Sequence, residues 1–174
     1  MLQKYNRWKV LQVFFDDPEG YFQLREMGRK VRLATVSVKL ILEYLLDEGL
    51  IKTEKIKKYL VYVANRDSEA FRFLKKMNSL IMISESGILG YLGDLCMPDA
   101  IILFGSTSRG EDTKNSDIDL FLLCQEISPD LSKFEKILDR KINLLFSGNF
   151  RELSNELKNN IINGIVLKGY LKVF

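Results

Sequence analysis

The chain contains no histidine. That absence removes Ser-His-Asp and Cys-His catalysis, the common zinc sites and histidine general bases. There are two cysteines, Cys96 and Cys124, and neither a disulfide scaffold nor a zinc site is expected of them. Cys124 ends an apolar run, where a cysteine behaves as a small buried hydrophobe. No uninterrupted apolar run approaches the roughly 20 residues that a membrane helix needs, so no membrane association is expected. The first residues, MLQKYNRWK, are polar and lack the long apolar stretch of a signal peptide. The expected location is the cytoplasm. Any chemistry must rest on carboxylates, lysines, hydroxyls or a bound metal.

What is present is the balance of a soluble globular protein: 47% apolar and 28% charged residues in a chain of 174. That length allows one ordinary domain or two small ones. The net charge of +3 is unevenly spread. Residues 1–97 carry 16 Lys/Arg against 12 Asp/Glu, and residues 98–174 carry 10 against 11. An excess in the front half is what contact with nucleic acid would require, and a solvated lysine-rich surface would look the same.

In the front half, the run YNRWKVLQVFFD places Trp8, Leu11, Phe14 and Phe15 at helical spacing. Asp-Asp-Pro-Glu-Gly, ending at Gly20, breaks that helix. Residues 22–31 suit a second short helix. Residues 35–48 suit a third, with Val38, Leu42 and Leu45 on one face and Gly49 as its stop. A strand over 50–54, a lysine-bearing turn over 55–58 and a strand over 59–64 follow.

Three helices and a hairpin in this order resemble the winged helix-turn-helix family. Leu33 to Ile51 carries the likeness, including the ending Leu-x-x-x-Gly-Leu-Ile from Leu45 to Ile51. The resemblance implies that the third helix enters a major groove of duplex DNA and the wing reaches phosphates. The helix candidates are Thr35, Ser37 and Lys39; the wing candidates are Lys55, Lys57 and Lys58; Arg29, Lys30 and Arg32 precede the third helix. That helix has few side chains suited to base edges. Winged helices also serve as protein–protein modules, so DNA binding and a structural or dimerising wing both stand at this point, and a homodimer is among the expected partners.

Residues 67–97 read as a connecting helix, with Phe71, Leu74, Met77, Leu80 and Ile81 recurring at helical spacing. Gly87, Gly90 and Gly93 loosen that pattern. A break or a close helix contact is expected there, and Pro98 marks a boundary.

The back half opens with a short apolar strand, Ala100–Phe104, followed at once by Gly105 and Ser106. A glycine at a strand end lets backbone approach a ligand, and a serine adds a hydroxyl and an N–H. Arg109 and Gly110 come next, and then Asp117 and Asp119 flank Ile118 at the head of the strand-like run DIDLFLL. Residues i and i+2 of a strand face one side, about 6.5–7 Å apart along the chain. Two carboxylates there repel each other: solvated, they are a charged strand end; shielded, they need a cation. Magnesium is the hard ion that carboxylate oxygens and phosphates hold together.

Gly-Ser, ten residues, then Asp-x-Asp, as in GSTSRGEDTKNSDIDL, resembles the signature of the nucleotidyltransferase superfamily that includes DNA polymerase beta, and its minimal members above all. The likeness covers about residues 98–170. It implies that Gly105 and Ser106 contact the triphosphate of a nucleoside triphosphate (ATP is the expected one), that Asp117 and Asp119 hold Mg2+, and that Arg109 serves phosphate or structure. One position departs from the family. Its third carboxylate is expected on the strand KINLLF, where Asn143 stands. Asparagine offers a carbonyl oxygen to a metal but carries no charge and cannot act as a base. This points to a slow enzyme, a one-metal binder or a binding-only domain. Residues 150–157 and 159–169 read as two closing helices, with Ile161, Ile162, Ile165, Val166 and Leu167 as an apolar face.

The expected fold is thus α+β: a winged helix-turn-helix domain over 1–66, a connecting helix over 67–97, and over 98–174 a nucleotidyltransferase domain with a small mixed sheet flanked by helices. The first functional expectation is nucleotidyl transfer to a hydroxyl, including one on a HEPN-type toxin partner, as an antitoxin-like enzyme. The second is a non-catalytic transcriptional regulator that binds DNA and senses nucleotide or a partner.

Overall fold

The computed structural model describes residues 5–173; Met1–Lys4 of the polar opening stretch lie outside that range. Contact density divides the chain between residues 78 and 79, and the two units are described separately.

In the first unit, helices α1 (Asn6–Asp16), α2 (Leu24–Val31) and α3 (Thr35–Asp47) precede strands β1 (Ile51–Ile56) and β2 (Tyr59–Ala64). The apolar positions read from helical spacing do converge: Leu11, Phe14, Phe15, Val38, Leu42, Leu45 and Phe71 are all buried in one core, with Met27, Ile51 and Tyr62. Gly49, at φ +66°, ends α3 in the left-handed region where a side chain is costly. β1 and β2 are antiparallel from Ile51↔Ala64 to Ile56↔Tyr59. The turn is therefore Lys57-Lys58 alone. Lys55, expected in a turn over 55–58, lies inside β1 because a two-residue turn lets both strands pair to their ends. Lys57 takes the positive φ, 57°, that such a turn demands.

The helical stretch expected over 67–97 is two helices, α4 (Glu69–Ser86) and α5 (Ile88–Cys96). Gly87 breaks them at φ +81°. Phe71 and Leu74, early in α4, belong to the first core. Leu80, Met82 and Ile83, late in α4, belong to a second with Ile88 and Leu92 of α5.

The second unit is built on a four-stranded sheet in the order β5-β4-β3-β6. Strand β3 (Ala100–Phe104) is antiparallel to both β4 (Ile118–Leu123) and β6 (Ile165–Gly169), and β4 is parallel to β5 (Ile142–Ser147). A short helix α6 (Gly105–Arg109) links β3 to β4, and α7 (Ser132–Leu138) supplies the crossover from β4 to β5. Both faces are covered. Ile101, Leu103, Ile118, Leu120 and Leu122 pack toward α5 and α7, while Ala100, Ile102 and Phe121 meet Phe150 and Ile161 of the closing segment.

That closing segment corrects the expectation of two helices over 150–157 and 159–169. Phe150–Glu152 is one 3-10 turn, α8 runs Asn155–Ile162, and Ile165–Gly169 is strand β6. Ser154 starts α8 by accepting the Leu157 N–H at 3.3 Å. The chain then leaves helix at Gly164, where a Cβ would run into the Leu103 carbonyl. Ile165, Val166 and Leu167 do not continue a helical face. They pair with β3, whose open edge had backbone groups to satisfy.

Candidate active site

Strand alternation explains how acids enter a core strand. Asp119 shares its face of β4 with Phe121, which is fully buried. Asp117 and Asp119 stand at the strand's start, past the reach of that core, and both are half-buried. Asp117 itself precedes β4 by one residue.

Cross-strand register then assembles the site. Asp119 is paired with Phe104 of β3 on one side and with Asn143 of β5 on the other. The Asn143 amide nitrogen donates to Asp117 Oδ2 at 3.1 Å and to Asp119 Oδ1 at 3.1 Å. One NH2 group thus uses its two hydrogens on two carboxylates. Both carboxylates meet at the Asn143 amide.

Gly105 follows Phe104 directly and adopts φ +72°. A Cβ there would collide with the Asp119 carboxylate. Glycine is needed twice over, for the backbone conformation and for the close approach. Ser106 is half-buried beside it. The Ser108 hydroxyl donates to the Gly105 carbonyl at 2.8 Å, and Gly110, at φ +71°, stops α6. Arg109 is exposed and paired with Glu111 at 2.7 Å.

Several residues that order this site carried no signal in the sequence. Thr107 is fully buried, and its hydroxyl donates to the Asp117 carbonyl at 3.2 Å. Glu135 of α7 accepts the Ile142 N–H at 3.1 Å and so ties down the start of β5. That hydrogen bond, helped by Lys141, holds its carboxyl below the usual carboxylate range. Asp112, in the loop before β4, and Arg140, just before β5, form a buried ion pair. Thr107 and Asp112 lie inside the Gly-Ser to Asp-x-Asp stretch but at positions to which the spacing argument assigned no role, and the partner of Asp112 is 28 residues away.

The donor set can be tested against a cation. No group of three or more His, Cys, Asp or Glu among the described residues is placed to hold a metal ion. Two converging carboxylates offer hard oxygens at this point, and the Asn143 group that faces them is its NH2, which donates hydrogen bonds and cannot ligate an ion.

In the first unit, Thr35, Ser37 and Lys39 are exposed on α3, and Lys55, Lys57 and Lys58 are exposed on the hairpin. Lys39 pairs with Glu43 one turn on, at 3.7 Å. Val36 and Leu40 share the open side of α3, 73% and 63% exposed. No described helix is long and apolar enough to cross a membrane.

Residues 88–170 match the family described as polymerase beta, nucleotidyltransferase. The match supports placing this part of the chain in the nucleotidyltransferase superfamily, whose general activity is nucleotidyl transfer, and the small mixed sheet with its flanking helices is consistent with that fold. It begins within α5, earlier than the stretch 98–170 read from the motif. No curated protein and no solved structure matches the chain.

Proposed function

We propose that the second unit binds a nucleoside triphosphate, ATP in the first instance, with Mg2+ and transfers its nucleotidyl group to a hydroxyl. The observation that carries this reading is the convergence of Asp117 and Asp119 on the Asn143 amide, directly against Gly105. Gly105 lets the Asp119 carboxylate lie close against the backbone at the end of β3, where any Cβ would displace it. Ser106 offers a hydroxyl and an N–H to the triphosphate, and Arg109 offers charge once Glu111 yields it. Asp117 and Asp119 would hold the ion, and Asn143 would complete its shell by turning its carbonyl inward. Mg2+ bound there supplies neutralisation of phosphate charge and activation of the attacking hydroxyl. The acceptor in this reading is a side-chain hydroxyl of a partner protein, such as a HEPN-type toxin.

The first unit in this proposal is a winged helix that binds duplex DNA. Its support is the order of elements and the exposure of Lys57 and Lys58 at a tight turn, with Arg29 and Lys30 ending α2. A second reading is favoured by Asn143, which leaves the site without a third acid, and by the apolar strip of Val36 and Leu40. It makes the protein a cytoplasmic regulator that senses nucleotide without turnover and pairs with a second copy or partner.

Labelled ATP and Mg2+, offered with and without the product of a neighbouring gene, separate the two. Label transfer that vanishes in Asp117→Ala/Asp119→Ala supports the enzyme. Saturable binding without transfer to any acceptor supports the sensor, and no binding at all removes both.

A further inference from the structure

Asp112 has a fully buried side chain, and that of Arg140 is 14% exposed. The Arg140 guanidinium donates to Asp112 Oδ2. Burying two charges carries a desolvation cost that their mutual attraction can fail to repay, so net stability alone does not account for the pair. Their location explains what they join. Asp112 lies in the segment that leads into β4, and Arg140 in the turn that leads into β5. Those strands are parallel, so both starts lie at one end of the sheet. That is the end where Asp117, Asp119 and Asn143 meet.

The connections on either side are short and hydrogen-bonded. From Asp112 the chain reaches Asp117 through a turn in which the Thr113 N–H donates to Ser116 Oγ at 2.9 Å and the Ser116 N–H to the Thr113 carbonyl at 3.1 Å. From Arg140 it reaches Asn143 through Lys141, whose carbonyl accepts the Ile118 N–H at 2.9 Å. The Arg140 N–H is itself tied to the Glu135 carbonyl at 3.2 Å. The Asp117–Ile118 peptide is held after the side chain, its N–H by the Lys141 carbonyl and its C=O by the Thr107 hydroxyl; ahead of Asp117, the Asp112–Arg140 pair ties the incoming segment to the turn before β5.

We propose that Asp112 and Arg140 are positioning residues for the acidic site. Their buried pair fixes the segment before β4 against the turn before β5, and so sets Asp117 within reach of Asn143. The pair touches neither substrate nor ion; it acts through Asp117. This inference rests on the proposed function only where its test uses a metal.

The experiment compares wild type, Asp112→Asn, Arg140→Gln and Arg140→Lys as full chains, well below their unfolding temperatures. The first readout is the Asn143 side-chain amide signal in nitrogen-15 NMR, identified by its loss in Asn143→Asp. The second is affinity for Mn2+ alone, followed by electron paramagnetic resonance. In Asp112→Asn and Arg140→Gln the amide signal should move to the position of a solvated asparagine. Mn2+ affinity should fall about tenfold or more, as for other groups that orient ligands. Arg140→Lys, which keeps a cation, should stay near wild type in both. Variants that lose thermal stability yet keep the Asn143 signal and the Mn2+ affinity would reduce the pair to a structural role and overturn the proposal. If the uncharged variants do not fold, amide exchange in wild type decides: protection of Thr113 and Ser116 comparable to Ile118 supports a fixed loop, and unprotected rates overturn it. A wild type that binds no Mn2+ would sink the metal reading, while the amide signal would still judge the pair.

Discussion

The Asn143 amide nitrogen lies 3.1 Å from Asp119 Oδ1 because the two residues face each other in the parallel register of β4 and β5. The same nitrogen reaches Asp117. An uncharged donor therefore does for two neighbouring acids part of what a cation would do. Asn143→Asp should reverse that. Three like charges would lower the melting temperature without metal, and millimolar Mg2+ should restore it, with a larger shift than in wild type. Calorimetric scans with and without Mg2+ check this; equal shifts in both proteins would contradict it.

Gly105 and Gly90 should respond in opposite directions to alanine. Gly105→Ala puts a Cβ against the Asp119 carboxylate at a left-handed backbone position, a conformation that costs about 1–2 kcal/mol in itself. Lower stability and weaker nucleotide binding are expected together. Gly90 has open space around its would-be Cβ within helix α5. Gly90→Ala should stabilise by about 0.5–1 kcal/mol. Urea unfolding of the two variants tests the contrast.

Acid should loosen the start of β5 through Glu135. Its folded pKa is depressed below the reference value of 4.5, first by the Ile142 N–H and then by Lys141. A depressed acid stabilises fully above its unfolded pKa and loses that contribution as pH falls through the lower, folded value. Wild type should therefore lose stability below pH 4.5 faster than Glu135→Gln, and the two curves should converge in strong acid. Parallel curves across that range would remove the contribution.

The thiol of Cys124 should be a poor nucleophile. Burial pushes it up to about 12, and the neighbouring Cys96 thiol adds to the shift. Since the thiolate is the reactive form, alkylation of Cys124 at pH 8 should run about tenfold or more below that of free cysteine. Mass spectrometry after timed iodoacetamide treatment measures it.

Lys57→Ala/Lys58→Ala should weaken binding to duplex DNA evenly across sequences and flatten its salt dependence. Stability should hardly change, because both side chains are exposed at the hairpin turn. Unaltered binding, or none in wild type, would favour the module as a protein-binding wing.

Much of this architecture was written in local patterns. Helical spacing marked α1 and α3, because each buries one stripe on one core. Short apolar runs marked β3 and β4, and Gly105 marked the end of β3, whereas the Gly-Ser bend expected there opens the short helix α6. The closing segment misled because Ile161, Ile162, Ile165 and Val166 suit either a helical face or a strand, and short apolar runs do not reveal their partner. The open edge of β3 decided the matter by taking Ile165–Gly169 as β6. Lys55 moved from turn to strand for a similar reason, since strand pairing extended as far as a two-residue turn allowed.

The sequence by itself determined that two acids, two residues apart at the head of an apolar strand, face the same way, since alternation is a property of a single segment; that Gly105 stands against Asp119 came from the β3–β4 register. Only the tertiary structure decided that Asn143 bridges them and that Asp112 and Arg140 brace the segments leading to them. Those contacts join residues 24 to 28 positions apart, and such distances are closed by strand register and burial rather than by any local pattern.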